Sequence, residues 1–372
     1  MIKQNKAFKF RLLPNKEQAV LLAKTFGCVR LVYNKMLAER QETYAKYKND
    51  KEILKKQKFP TPAKYKDEFP FLKEVDSLAL ANAQLNLQKA YKNFFEGRAE
   101  FPKFKSRKHK QSYTTNMVNG NIKLSDSHIK LPKIKKTIRF KQHREIPSDY
   151  KLKSCTISKT KSGKYYISIL TEYEKDIKSV PIQKVVGLDF AMDGLYVESE
   201  QGEKANYPRF YRQSLDKFAK EQRILSRRKK GSARWEKQRL KVAELQEKTA
   251  NQRKNFLHHK SKELASTYDA VIIEDLDMKG MSQALHFGKS VYDNGWGMFT
   301  TFLGYKLKEQ GKQLVKIDKW FPSTKKCSCC GAEKKMSLSE RTYQCSCGFV
   351  ADRDYNSAIN IKHEGIRLLA LA

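Results

Sequence analysis

The hydrophobic pattern of this chain of 372 residues changes its period along the sequence, and each change limits what that segment can fold into. Residues 7–12 alternate apolar and basic side chains, which predicts a strand with one buried face. Residues 15–100 instead carry apolar side chains at steps of three and four, the spacing of packed helices, with Asn15 and Ser77 as expected caps. A strand followed by a helical unit is therefore expected.

The alternating pattern returns at residues 111–172. Several short apolar and polar alternations follow one another there, and the pairs Asn119–Gly120 and Ser162–Gly163 are typical hairpin signals. Antiparallel strands of this length predict a small β-barrel, which can recruit the N-terminal strand as well. The helical unit would then be an insertion in that barrel.

Beyond Pro181 the pattern is that of an α/β domain, and two of its apolar strands carry an acid. Asp189 lies in the strand at 185–191 and Glu274 in the strand at 270–276. Burying an unpaired carboxylate is costly, so such an acid usually has a cation, an arginine or strong hydrogen bonds. In open α/β sheets, functional groups gather where the strands end.

Two further acids, Asp352 and Asp354, stand at the start of the last predicted helix. Either could be a helix cap, because aspartate there accepts hydrogen bonds from free backbone N–H groups. Together with Asp189 and Glu274, however, an acid from a third element resembles a carboxylate cage for two Mg²⁺ ions that hydrolyses a phosphodiester.

Five of the seven cysteines fall between residues 327 and 347. Cys327, Cys330, Cys345 and Cys347 form a C-x2-C pair and a C-x-C pair, the spacing of a tetrahedral structural zinc site. Cys329 is an additional thiol that could replace a neighbour. Since these cysteines are clustered, a disulfide framework is excluded.

The charge of the chain identifies its class of partner. There are 76 Lys and Arg residues against 40 Asp and Glu, a formal charge of +36, which points to a polyanion, with nucleic acid preferred over an anionic membrane surface. We find no apolar run of membrane-spanning length and no signal peptide, so a cytoplasmic protein is expected. The candidate nucleic-acid contacts are basic residues at 101–170: Lys103, Lys105, Arg107, Lys108, Lys110 and Arg139.

The motifs GLDFAMDG, VIIEDL, GWGMFTTFLGYKLKEQGKQLVKIDKWFPSTKKCSCCG and CSCGFVADRDYNSAINI together resemble the RuvC-like nuclease half of TnpB proteins, transposon-encoded relatives of type V CRISPR effectors. The N-terminal segments KAFKFRLLPNKEQ and FPKFKSRKHKQSYT are similar to the same family. The resemblance places the three catalytic, Mg²⁺-binding acids on Asp189, Glu274 and Asp354, and favours Asp354 over Asp352. It places the zinc ligands on Cys327, Cys330, Cys345 and Cys347.

The resemblance implies an RNA-guided DNA endonuclease, in which a guide RNA from the transposon end pairs with target DNA beside a short adjacent motif. It implies two Mg²⁺ ions, one Zn²⁺ and the association of one protein with one guide RNA. The implied fold is α+β and multidomain: a wedge β-barrel with an inserted helical recognition domain, then an RNase H-like RuvC domain with an inserted zinc ribbon. The expected divisions are 1–14 and 111–180 for the wedge, 15–110 for recognition, 181–320 and 351–372 for the nuclease with its C-terminal helix, and 321–350 for the ribbon.

Three other functions remain open on sequence grounds. The chain could be a guide-loaded DNA-binding regulator with little cleavage, or a transposase that joins DNA strands with the same three acids. A zinc-ribbon RNA-binding protein without catalysis is a third alternative, but it would leave the buried acids Asp189 and Glu274 unexplained.

Overall fold

The computed structural model describes residues 2–284, 293–337 and 339–370. Contacts between residues divide the chain into two compact units, residues 1–175 and residues 176–372. Each unit has its own hydrophobic core.

The first unit contains an antiparallel sheet of seven strands in the order β2-β6-β7-β1-β5-β4-β3. Its central strand is the N-terminal one, which pairs with β7 along nearly its whole length and with β5 near its end. The strands are β1 (Ile2–Leu13), β2 (Gln111–Asn116), β3 (Lys123–Ser125), β4 (His128–Lys130), β5 (Ile138–Lys141), β6 (Lys151–Lys159) and β7 (Tyr165–Lys175).

Alternation along the strands sends one set of side chains into a single core. Phe8, Phe10 and Leu12 of β1 are buried, whereas Lys9 between them is exposed, so the predicted wet and dry faces are confirmed. Tyr113 of one edge strand and Ile129 near the other edge belong to the same core. The sheet is therefore curled around that core.

The helices of the first unit lie in sequence between β1 and β2. They are α1 (Lys16–Tyr47), α2 (Lys51–Lys56), α3 (Tyr65–Glu68), a 3₁₀ helix (Pro70–Glu74) and α4 (Ser77–Phe95). Asn15 caps α1 as expected, because its side chain accepts from the backbone N–H of Gln18 while the Gln18 side chain accepts from the backbone of Asn15. The apolar faces of α1 and α4 meet in a second core that includes Leu37, Leu80 and Leu87.

Two local predictions in this unit are wrong. The cap of α4 is Asp76 rather than Ser77, since the Asp76 carboxylate accepts from the backbone N–H of Leu78. The Asn119–Gly120 turn does not form a hairpin, because β2 and β3 lie at opposite ends of the sheet. The Ser162–Gly163 turn does join the antiparallel neighbours β6 and β7. A turn sequence fixes a reversal of the chain but not the strand that is paired afterwards.

The second unit is built on a mixed sheet of four strands in the order β11-β10-β8-β9. The three strands β8, β10 and β11 run parallel, and β9 returns antiparallel beside β8. Their bounds are β8 (Val185–Phe190), β9 (Tyr196–Glu198), β10 (Ala270–Glu274) and β11 (Gln313–Ile317).

Helices follow the strands of the second unit. They are α5 (Phe210–Ser226), α6 (Ala233–Thr267), α7 (Met278–Ala284), α8 (Trp296–Lys308) and α9 (Arg353–Ala370). The helices α5 and α6 follow one another directly, and the chain turns between them at Gly231, whose φ is 86°. None of the described helices combines the length and the apolar character needed to cross a membrane.

The last helix lies very close to the sheet at two glycines. A Cβ atom on Gly187 of β8 would stand 2.2 Å from the carbonyl oxygen of Ala358 in α9. A Cβ on Gly365 of α9 would stand 2.3 Å from the Ile272 side chain of β10. The absence of both side chains lets α9 rest on β8 and β10, which brings the start of this helix to the edge of the sheet.

Between β11 and α9 the chain forms a small cysteine-bearing segment. It contains a two-stranded antiparallel sheet, β12 (Thr342–Gln344) and β13 (Val350–Asp352), and the Tyr343 side chain of β12 is buried. Gly331 and Gly348 have φ values of 80° and 88°, a conformation that glycine adopts without strain. Each glycine follows a cysteine pair and lets the chain turn back after it.

Candidate active site and metal centre

A cavity of about 660 Å³ opens where β8 and β10 of the second unit end. The three acids singled out in the sequence, Asp189, Glu274 and Asp354, all line it. Arg209 and Arg212 from the start of α5 line it too, as do Arg341 and Arg353. The cavity therefore combines a group of carboxylates with surrounding guanidinium groups.

Two of the acids are placed by strand pairing. β8 and β10 are parallel neighbours, and Leu188 lies opposite Ile273. Asp189 and Glu274 follow these two residues, so they extend from adjacent strand ends at the same edge of the sheet. Asp189 is buried and Glu274 is half-buried.

The third acid is placed by the start of α9. The Asp352 carboxylate accepts hydrogen bonds from the backbone N–H groups of Asp354 and Tyr355, at 2.9 and 3.2 Å. Asp352 is thus the residue that caps the helix, and its side chain is occupied by that role. Asp354 lies in the first turn, is buried, and lines the cavity.

The acids affect one another's protonation. Burial raises the pKa of Asp189 well above its ordinary value, and the negative charges of Glu274 and Asp354 raise it further. The positive charge of Arg353 acts in the opposite direction. A bound cation would reduce the repulsion between these carboxylates and so favour their ionised forms.

Glu274 has one specific hydrogen-bond donor. The Ser323 hydroxyl donates to Glu274 Oε1 across 2.5 Å. Burial raises the pKa of Glu274, and this hydrogen bond lowers it, because it stabilises the charged carboxylate. Ser323 therefore fixes one oxygen of Glu274, a residue that lines the cavity.

Asp354 is held by arginines. The Arg353 guanidinium donates from Nε and Nη2 to Asp354 Oδ1, at 3.0 and 2.9 Å. Arg341 Nη1 lies 3.8 Å from Oδ2 of the same carboxylate. These contacts fix the orientation of the Asp354 side chain.

Two asparagines of α9 were missed by the sequence analysis. Asn356 donates to the carbonyl oxygen of Lys326 and accepts from the N–H of Ser328, and Asn360 donates to the carbonyl oxygens of Ser323 and Lys326. Both side chains are buried. Their spacing of four residues on the buried face of an amphipathic helix was the signal available. They hold the segment that carries Ser323 against the helix that carries Asp354.

Asp293, which also lines the cavity, was not predicted either. It is buried, and its Oδ1 accepts from Arg253 Nη2, from the Tyr207 hydroxyl and from the backbone N–H of Tyr211, at 3.1 to 3.3 Å. Because it neutralises Arg253 and joins the segments around α5, α6 and α8, Asp293 supports the wall of the cavity.

The predicted zinc ligands are close together. One sulfur from each of Cys327, Cys330, Cys345 and Cys347 lies within 4.8 Å of the other three. Cys329 is exposed and stands outside this group in the described part of the chain. The backbone N–H of Cys347 lowers the pKa of the Cys345 thiol to about 6. Four thiols with one readily ionised member are suited to a zinc ion.

The predicted nucleic-acid contacts lie in the first unit, and two of them already have partners. Lys103 is 2.6 Å from a Glu100 carboxylate oxygen, and the Lys105 ammonium lies 3.6 Å from the centre of the Tyr33 ring. The other side chains of the set are exposed: Arg107, Lys108, Lys110 and Arg139. Their contact with nucleic acid stays a prediction.

The chain is similar to several known proteins and protein families. A family model described as "Probable transposase" matches residues 168–285, one described as "Cas12f1-like, TNB domain" matches residues 296–361, and one described as "Helix-turn-helix domain" matches residues 1–49. A Streptomyces pristinaespiralis protein carrying the name RNA-guided DNA endonuclease is 35% identical over 97% of this chain and 89% of its own length.

The chain belongs to the TnpB family of RNA-guided DNA endonucleases. A second member, named RNA-guided DNA endonuclease InsQ, of Escherichia coli K12, is 30% identical over 99% of this chain and 94% of its own length. Membership thus extends over both units of the chain. It confirms the resemblance that the sequence motifs indicated.

The fold of this TnpB family member is similar to that of a solved structure. The Cas12f1 chain of a cryo-EM complex with sgRNA and target DNA superposes with a TM-score of 0.62, over 97% of this chain and 99% of that chain, at 12% identity. The likeness confirms an α+β fold with a curled sheet and helices. Residues 2–49 form β1 and the whole of the single helix α1, whereas the model matched there is described as helix-turn-helix.

Proposed function

We propose that this protein is a guide-RNA-directed DNA endonuclease whose phosphodiester hydrolysis takes place in the cavity of Asp189, Glu274 and Asp354. One observation carries the proposal: three carboxylates from separate elements, β8, β10 and α9, line a single cavity. Membership of a family of RNA-guided DNA endonucleases supports it.

The chemistry of these donors fits Mg²⁺. The predicted ligands are carboxylates, which are hard oxygen donors of the kind that Mg²⁺ prefers. The raised pKa of Asp189, caused in part by Glu274 and Asp354, means that a divalent cation would relieve the repulsion between them. Asp189, Glu274 and Asp354 would hold two Mg²⁺ ions. When bound, these ions supply Lewis acidity and activate water for the hydrolysis of a phosphodiester.

The protein groups around the acids have separate tasks in this proposal. Ser323 orients Glu274, and Arg353 orients Asp354, so that both carboxylates are positioned before any ion binds. Arg209 and Arg212 lie on the side of the cavity formed by α5, where their guanidinium groups would receive the phosphates of the DNA strand. The acids then provide the reactive centre and the arginines the strand-binding surface.

The charge of the chain and its cysteine cluster indicate the nucleic-acid partners and a structural zinc ion. The charge of +36 suits the guide RNA and the double-stranded target DNA that this family name implies, with one protein per guide RNA. The four clustered cysteines would hold one structural Zn²⁺ ion.

We assign the domains within this framework. The curled sheet corresponds to the wedge, proposed as a barrel made of residues 1–14 and 111–180, and residues 15–110 form the helical recognition domain. Residues 181–320 and 351–372 form the RuvC-like nuclease, and residues 321–350 form the zinc ribbon inserted in it. The pairing of β1 with β5 and β7 supports the assignment of the N-terminal strand to the wedge.

The test is a cleavage assay with the RNA that co-purifies with the protein and DNA matched to that RNA. We expect Mg²⁺-dependent double-strand breaks, which Asp189→Ala and Asp354→Asn abolish. Asp352→Ser is the matched control, because serine can replace the helix cap without altering the three acids, and it should cut as the unsubstituted protein does.

Each other outcome points to a different function. Target binding without breaks would identify a guide-loaded regulator, and products in which DNA strands are joined would identify a transposase. Full cleavage by Asp189→Ala would disprove the assignment of the site. Equal loss of activity in Asp352→Ser and Asp354→Asn would show that the start of α9 matters for folding and not for chemistry.

A further inference from the structure

Trp320 is the most exposed large apolar side chain in the described part of the chain, with 81% of its surface accessible. It lies in the loop that follows β11, and none of the site groups described above involves it. Its neighbour Phe321 is half-buried against the core of Ala270, Ile272, Ile317 and Ile361. One aromatic ring of the loop is therefore packed inside while the adjacent ring is presented to solvent.

The loop that carries Trp320 is held in one conformation. Asp318 Oδ1 accepts from the backbone N–H of Trp320 at 2.7 Å, and the Asp318 carbonyl accepts from Phe321 N–H at 3.1 Å. At the far end of the loop, Asn360 donates to the Ser323 carbonyl at 2.8 Å. Because the backbone is fixed on both sides of Trp320, the point from which the exposed indole extends is defined before any ligand arrives.

Both ends of this loop meet Glu274. Ile317, where the loop begins, is the strand partner of Glu274, and Ser323, where it ends, donates to the Glu274 carboxylate. Trp320 is three residues from each end, so its Cα lies within about 11 Å of both. The indole is consequently within a few nucleotides of the carboxylate cavity along a bound strand.

A cationic side chain lies beside the exposed Trp320 ring. The Lys319 ammonium is 5.0 Å from the centre of that ring. Lys319 also lines a second depression of mixed charge, which contains Asp275, Asp277, Asp318 and Lys316 and has Leu276 in common with the carboxylate cavity; Lys316 there is paired with Asp275 at 2.7 Å. An exposed aromatic ring with an adjacent lysine is a combination that binds unpaired bases, by stacking on the ring and by charge attraction to the backbone.

We propose that Trp320 is a stacking platform for one unpaired base of the DNA strand that enters the carboxylate cavity. The ligand is single-stranded DNA, and the ring fixes the position of the strand relative to Glu274. This inference rests on the proposed endonuclease function, since it names a further contact of that substrate. Trp320 is a positioning residue and takes no part in bond cleavage.

The test measures binding and not cleavage. The guide-loaded complex carrying Asp189→Ala is titrated with a short oligothymidylate while tryptophan emission is recorded. We expect emission to fall on binding, and we expect the fall to be lost when Trp320→Phe is added. Trp320→Ala and Trp320→Leu should both weaken the oligothymidylate Kd by about 5- to 150-fold, whereas Trp320→Phe retains most of the affinity because it keeps a ring.

The control is Val350→Ala, which removes another exposed apolar side chain of the second unit and should change neither emission nor Kd. Unchanged emission on binding, or equal affinity for Trp320→Ala and the parent complex, would overturn the proposal. So would a change in oligomeric state caused by Trp320→Ala without an effect on DNA, which would assign the ring to a protein contact. Absence of cleavage by the Asp189-containing complex would count against the endonuclease function alone.

Discussion

The Ser323 hydroxyl donates to the Glu274 carboxylate across 2.5 Å, so the ionisation of a predicted catalytic acid depends on a neighbouring loop. A hydrogen bond to a charged group contributes about 1.5–3 kcal/mol, and one pKa unit corresponds to about 1.4 kcal/mol. Because this bond lowers the pKa of Glu274, Ser323→Ala raises it. The acid limb of a pH profile of DNA cleavage should therefore move to higher pH.

The measurement is the rate of cleavage by the guide-loaded complex between pH 5 and pH 9 at a Mg²⁺ concentration below saturation. Ser339→Ala is the control, because Ser339 is exposed and its hydroxyl contacts Ser337 instead of an acid. A lower rate at every pH with an unchanged profile would contradict the proposed effect of Ser323 on Glu274.

Asp189 should make the metal-free protein less stable as the pH rises. Its pKa is raised in the folded protein, so the stability it contributes is fully present below the unfolded pKa of about 3.9 and is lost as the pH rises through the folded pKa. Asp189→Asn removes this charge from a buried position. At pH 8 in EDTA we expect Asp189→Asn to increase the free energy of unfolding by about 1–3 kcal/mol, and each kcal/mol should raise the Tm by about 2–4 °C. Near pH 4 we expect no increase in the free energy of unfolding.

Differential scanning calorimetry in EDTA and in Mg²⁺ tests this expectation. Mg²⁺ should raise the Tm of the unsubstituted protein and have a smaller effect on Asp189→Asn. The matched variant Asp193→Asn removes an exposed acid at the same cavity, and its Tm in EDTA should stay close to that of the parent. A Tm for Asp189→Asn at or below the parent value at pH 8 would refute the argument.

The cysteines should differ in their contribution to zinc binding. Cys330 belongs to the group of four sulfurs, and the adjacent Cys329 is exposed outside it. We expect one zinc per chain in the unsubstituted protein and in Cys329→Ser, and a large loss of zinc in Cys330→Ser, measured by elemental analysis of the purified protein. Zinc loss in Cys329→Ser with retention in Cys330→Ser would mean that Cys329 replaces its neighbour as a ligand.

Gly187 should not tolerate a side chain. A Cβ there would meet backbone atoms of Ala358 and Lys362 at 2.2 and 2.6 Å, so Gly187→Ala must move α9 away from β8. We expect a loss of about 1–3 kcal/mol in the free energy of unfolding, the usual cost of overpacking, measured by urea denaturation. Gly297→Ala is the control, because nothing lies within 4 Å of its Cβ position in α8, and it should be neutral or stabilising.

The basic segment before β2 should divide into two classes. All four lysines are exposed, but Lys103 and Lys105 contact Glu100 and Tyr33. Replacing Lys108 and Lys110 by Gln should reduce the slope of log K against log salt for nucleic-acid binding by up to about 0.9 per lost phosphate contact. Replacing Lys103 and Lys105 by Gln should reduce this slope less. Equal slopes for both double variants and the parent would show that the segment does not contact nucleic acid.

The sequence predicted those features that depend on local pattern. The faces of β1 follow from alternation, the start of α1 from the Asn15 cap, and the strand positions of Asp189 and Glu274 from apolar runs. Each of these depends on residues close in sequence. The family resemblance added the choice of Asp354, for which spacing alone offered no reason.

The remaining features depend on contacts between distant segments. No local pattern tells that Asp352 is occupied by backbone N–H groups while Asp354 lines a cavity with Asp189. The same holds for the contacts of Asn356 and Asn360 with residues some thirty positions earlier, and for the separation of β2 from β3 across the sheet. Such relationships are fixed by tertiary packing, which a single sequence does not display.

The position of Asp354 on the last helix has a consequence for synthesis of the protein. In chain order, α9 follows both strands that carry the other two acids and also follows the cysteine segment. A ribosome must therefore translate almost the whole chain before the cavity can contain all three carboxylates. Truncated products that end before Arg353 would lack the third carboxylate, and under the proposed function such fragments would be unable to cut the DNA of their host.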